Sequence, residues 1–69
     1  MQPFVITLST KAAQSFLKDL RSNRIAFQTI VEKTHFTHFG FLEDSPKLQM
    51  AIRLVKERFG AKSFSIEYI

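Results

Sequence analysis

The sequence contains no cysteine and no tryptophan, and only two glycines and two prolines in 69 residues. Without cysteine there is no disulfide framework, thiolate zinc site, iron–sulfur cluster or cysteine nucleophile. That suits a reducing compartment, so a cytoplasmic location is expected. No apolar run approaches the roughly 18 residues of a membrane span. Met1 to Ser9 is too short and uncharged for a secretory leader, so no membrane attachment is expected. The shortage of Gly and Pro also excludes a low-complexity or disordered chain.

What is present is apolar and basic. The chain is 45% hydrophobic and carries eight Phe, enough for a dense core in one domain spanning residues 1–69. Ten Lys and Arg against six Asp and Glu give a net charge of +4, which favours an anionic partner.

Periodicity predicts six elements. Phe4-Val5-Ile6-Thr7-Leu8 is β-branched and aromatic, a first strand over Pro3 to Leu8. Ser9 or Thr10 can cap a helix over Thr10 to Ser22, where Ala13, Phe16, Leu17 and Leu20 recur at helical spacing. Ile25, Phe27, Thr29 and Val31 then alternate with Ala26, Gln28, Ile30 and Glu32 as a second strand. A turn near Glu32 to Thr34 leads into a third strand over Thr34 to Leu42, with one long curled strand or a helical start through Phe27, Ile30 and Val31 as alternatives, since no Asn-Gly or Asp-Gly pair marks a tight hairpin. In Glu43-Asp44-Ser45-Pro46, Ser45 is the N-cap and Pro46 the first helical residue. Leu48, Ala51, Ile52, Val55 and Phe59 share one face of that helix, and Gly60 ends it. Ala61 to Ile69 alternates Phe64, Ile66 and Tyr68 against Ser63, Ser65 and Glu67 as a fourth strand. The order β-α-β-β-α-β predicts an α+β ferredoxin-like plait, with a four-stranded antiparallel sheet and two helices on one face. Such a fold hosts unrelated functions and decides none of them.

Enzyme chemistry finds little to work with. His35 and His38, the only histidines, are three apart on a predicted strand and point to opposite faces, a poor metal pair. Glu43 and Asp44 are accounted for by the helix start they precede. Neither glycine belongs to a phosphate-binding loop. No enzyme activity, metal or cofactor is expected.

Phe39-Gly40-Phe41-Leu42 resembles the third-strand core of the RNA recognition motif, and Phe4-Val5-Ile6-Thr7-Leu8 is similar to its first-strand signature. Thr37 and His38 stand where that family usually has a basic residue and a glycine. The resemblance implies that Phe4, Phe39 and Phe41 lie on the open sheet face and stack on bases. Simple alternation offers the opposite placement. Phe4, Ile6, Leu8, Ile25, Phe27, Val31, Phe39, Phe41, Phe64, Ile66 and Tyr68 would then all face the helices, leaving Thr7, Gln28, His38, Gly40, Ser65 and Glu67 outside.

Two surfaces remain. Lys11, Gln14, Lys18 and Arg21 form an outward stripe on the first helix, with Arg24 just beyond it. On the second helix Met50 and Leu54 fall where polar residues are expected, beside Arg53 and Arg58, and suit a protein contact or a homodimer seam. The fourth strand can also leave an edge open to pairing. The first reading is a non-enzymatic module binding single-stranded nucleic acid, RNA favoured, through Lys11, Lys18, Arg21 and Arg24 with Phe4, Phe39 and Phe41. The alternative is a protein-interaction module, such as a phage or mobile-element inhibitor or adaptor, that binds a host protein through Met50, Arg53, Leu54 and Arg58.

Overall fold

The computed structural model describes residues 2–69. Strand β1 (Phe4–Ser9) leads into helix α1 (Thr10–Ser22), followed by strands β2 (Thr29–Glu32) and β3 (Phe36–Phe41). Helix α2 (Pro46–Phe59), a single 3-10 turn (Ala61–Ser63) and strand β4 (Phe64–Tyr68) complete the chain. The sheet order is β2-β3-β1-β4, and each neighbouring pair is antiparallel. This is the ferredoxin-like plait. No helix among the described residues is long and apolar enough to cross a membrane.

Both helices start where a side-chain oxygen satisfies a backbone N–H left free in the first turn. Ser9 Oγ accepts from Ala12 N–H at 3.4 Å, and Ser45 Oγ accepts from Leu48 N–H at 3.1 Å. Gly60 stops α2 at φ 84°, a backbone region that glycine occupies without steric cost.

The core lies between the helices and one face of the sheet. Phe16 from α1 meets Phe39 edge-on at 5.1 Å between centroids, and Phe4 stacks on Phe41 at 5.4 Å. Ile6, Leu8, Leu20, Leu48 and Val55 fill the space around them and are fully buried.

Alternation holds through β1 and β3 but changes phase in β2. Ile30 pairs with Phe39 and so shares the helix-covered face, whereas Val31 pairs with His38 and lies on the other. The predicted inward position of Val31 is therefore corrected. The cause sits at Gly40. Gln28 donates its N–H to the Gly40 carbonyl at 2.7 Å, while Thr29 is the residue paired with Gly40, so two residues oppose one as in a bulge. A Cβ on residue 40 would collide with Thr29 Oγ1, which is why glycine suits this crossing. Ile25 and Phe27 precede the strand and still pack against the core, Phe27 edge-on to Phe39 at 6.0 Å. Tyr68 keeps the predicted face, opposite Phe4, but is 61% exposed.

Candidate nucleic-acid interface

Both helices cover the same sheet face, and among the described residues no element covers the opposite one. Its composition follows from the register. One row runs Thr29, Gly40, Val5 and Glu67, and the next runs Val31, His38, Thr7 and Ser65. At the end of β3, Phe36 pairs with Ser9 and stands 52% exposed. In the second row His38 Nδ1 and Thr7 Oγ1 share a hydrogen bond of 2.7 Å, which fixes the imidazole across the two central strands.

Phe36 lies at a basic end of the molecule. Lys33 N–H donates to the Phe36 carbonyl at 2.7 Å and closes the β2–β3 turn that leads into Phe36. Thr10 N–H donates to the His35 carbonyl at 3.1 Å, so the first turn of α1, with Lys11, abuts the same turn. Lys62 precedes β4, whose first residue pairs with Leu8 near the end of β1, and it joins this end of the sheet. Lys11, Lys33 and Lys62 are all exposed. The N-terminus of α1 adds the positive end of its dipole to the same region.

The structure separates residues that the sequence reading combined. Phe4, Phe39 and Phe41 do not stand on the open face. They are at most 4% exposed, packed under the helices, and cannot stack on a base in this structure. The physical reason is burial: each ring in the core is worth about 1.5–3 kcal/mol, which a domain of this size needs more than an exposed platform. Lys11, Lys18, Arg21 and Arg24 are exposed as expected, Arg24 in a left-handed conformation at φ 55°. Lys18, Arg21 and Arg24 belong to the later turns of α1 and its exit, on the helix-covered side of the sheet, whereas Lys11 sits in the first turn of α1, next to the β2–β3 turn. Gln14, from the same stripe, lines a shallow cleft with Leu17, Ile30 and Glu32 toward β2.

On α2, Met50 is 62% and Leu54 38% exposed. They line a shallow groove with Asn23, Lys47 and Ala51. Arg53 is exposed. Arg58 is held within the molecule, donating to Ser15 Oγ at 3.0 Å and lying 3.6 Å from Asp19 Oδ2. That carboxylate oxygen is buried and accepts no hydrogen bond, so the guanidinium is its main compensation.

Phe36 is the residue that sequence reasoning missed. The signal was present: once Phe39 and Phe41 point inward, strand parity sends Phe36 and His38 outward together. Among the described residues no three His, Asp or Glu side chains converge as a metal site.

No protein-family model matches the chain, and no curated protein matches it significantly. A solved structure, the solution structure of the C-terminal domain of the MgtC protein from Mycobacterium tuberculosis, is similar with a TM-score of 0.52 and 17% sequence identity. The match covers 100% of this chain and 88% of that one. At that identity the likeness shows the shared plait and nothing about activity.

Proposed function

We propose that the chain is a non-enzymatic module that binds single-stranded nucleic acid, RNA favoured, across its open sheet face. The observation that carries this reading is Phe36, a half-exposed ring on a bare face beside Lys33 and the start of α1. An aromatic platform next to cations is the arrangement that single strands use, stacking a base on the ring while phosphates lie on the lysines. Lys11, Lys33 and Lys62 supply those charges. Lys18, Arg21 and Arg24 extend the positive field without sharing the face.

Fluorescence anisotropy with labelled single-stranded RNA, single-stranded DNA and duplex DNA, at about 50 and about 200 mM salt, tests the reading. Micromolar binding to single strands is expected, with weaker binding to duplex. Replacing Lys11 and Lys33 together by Glu should weaken binding at least tenfold and flatten the salt dependence by about 1.4 log units per log unit of salt. If Lys18→Glu with Arg21→Glu abolishes binding and the first pair does not, the interface runs along α1 instead. Absence of binding at the lower salt removes the reading.

The exposed Met50 and Leu54 support a second reading, docking of a host protein in the manner of a small phage or mobile-element inhibitor or adaptor. In that case Leu54→Asp should abolish partner binding in a pull-down while the far-UV circular dichroism spectrum stays unchanged. Full retention of the partner would place its footprint off α2.

A further inference from the structure

We propose that β4 pairs with β4 of a second copy of this chain, joining two sheets into one continuous sheet. This proposal does not depend on nucleic-acid binding. It rests on which backbone groups of β4 are already used. Ile69 N–H donates to the Pro3 carbonyl at 3.0 Å, extending the register in which Val5 faces Glu67 and Thr7 faces Ser65. In an antiparallel ladder, bonded and non-bonded pairs alternate. Residues 65, 67 and 69 therefore direct N–H and C=O toward β1, and Ile66 and Tyr68 direct theirs to the outer edge together with the Phe64 carbonyl, while the Phe64 N–H is taken by the Ala61 carbonyl. Among the described residues no strand takes up that edge.

The edge has few of the features that keep strands apart. β4 has no proline, its register with β1 is unbroken from Phe64 to Tyr68, and its single charge is Glu67. The opposite edge differs, because β2 has only four residues, ends in Glu32 and is followed by Lys33.

The edge is also complementary to itself. A twofold axis through Ile66 sets Ile66 against its own copy and Phe64 against Tyr68 of the partner, so the free N–H groups of Ile66 and Tyr68 meet the Ile66 and Phe64 carbonyls of the other copy. Glu67 then faces Ser65 of the partner. Sliding by two positions toward the C-terminus would instead oppose Glu67 to itself, and like charges directly opposite disfavour that register. Charge therefore favours the centred alignment over that one. Its two outer cross-strand pairs set Phe64 against Tyr68, aromatic on aromatic, and they would cover Tyr68, which is 61% exposed in the single chain. A five-residue strand offers less than the ~800 Å² per partner of a standard stable interface. The dimer should accordingly form with a Kd on the order of 10–100 μM.

Sedimentation equilibrium of the whole chain from about 10 μM to about 1 mM tests this. The expected result is a mass rising from monomer to dimer across that range. Tyr68→Pro removes an outward N–H without touching the ladder to β1 and should leave a folded monomer throughout. Ser65→Lys, exposed and opposite Glu67 in the centred register, should tighten the dimer about threefold. A wild-type chain that stays monomeric at the highest concentration overturns the proposal and leaves the edge to a strand of another protein. A folded Tyr68→Pro variant that dimerises like wild type overturns it as well, placing the seam elsewhere. Should Tyr68→Pro fail to fold, Ser65→Lys decides, and no tightening overturns the centred pairing.

Discussion

Phe39→Ala will remove most of the stability of the fold. The ring has no exposed surface and lies edge-on to both Phe16 and Phe27, so it links α1, the segment before β2 and the sheet centre. Truncating a buried Phe costs about 3–5 kcal/mol, the lost transfer energy together with the cavity left behind. Domains hold about 0.05–0.15 kcal/mol of net stability per residue, which for this chain is about 3–10 kcal/mol. The loss is thus comparable to the whole. Urea unfolding followed by circular dichroism reads it directly, with the midpoint falling by several molar or the variant already unfolded in buffer. A Phe39→Ala variant within about 1 kcal/mol of wild type that had lost RNA binding would return the ring to the surface.

Phe36→Ala, three positions earlier on the same strand, should behave in the opposite way. Its ring stands on the bare face opposite Ser9, so truncation leaves no cavity, and stability should change by less than about 1 kcal/mol. Binding should suffer instead. One base stacked on one aromatic ring is worth about 1–3 kcal/mol, which predicts an affinity for single-stranded RNA lower by about 5-fold to 150-fold. Phe36→Tyr keeps the stacking surface and should bind within about threefold of wild type. Anisotropy titrations of the three proteins at one salt concentration separate these cases. Equal affinity for Phe36→Ala and wild type would remove the ring from the interface. The contrast between Phe36 and Phe39 is set by strand parity alone, since their residue type is the same.

Local signals made most of the fold legible. The bounds of α1 follow from Ser9 and the spacing of Ala13, Phe16 and Leu20, and those of α2 from Ser45-Pro46 and Gly60. In each case the deciding residues lie within a few positions of the boundary. The phase of β2 was not legible, because the crossing of Gln28 and Thr29 over Gly40 joins segments more than ten residues apart. The short 3-10 turn before β4 was likewise absorbed into the predicted strand. For the site, exposure of the basic residues and of Met50 and Leu54 could be read from helical spacing. Which sheet face held the phenylalanines could not be read from the motif resemblance, because a Phe-Gly-Phe run has the same letters whichever way its strand faces. The helices above β1 and β3 decide that, by offering the rings a dry surface.

The central place of β1 bears on how the molecule could be divided. β3 and β4 do not pair with each other, and both are joined through a strand made of residues 4–9. A cut after α1 would leave the downstream segment with β2 and β3 as one hairpin and β4 detached from it. The upstream segment would keep a single strand and one helix. Neither piece holds more than one pair of strands, so an inherited or engineered split at that loop yields two inert fragments that regain the fold only when both are present together, the shorter one acting as the clasp.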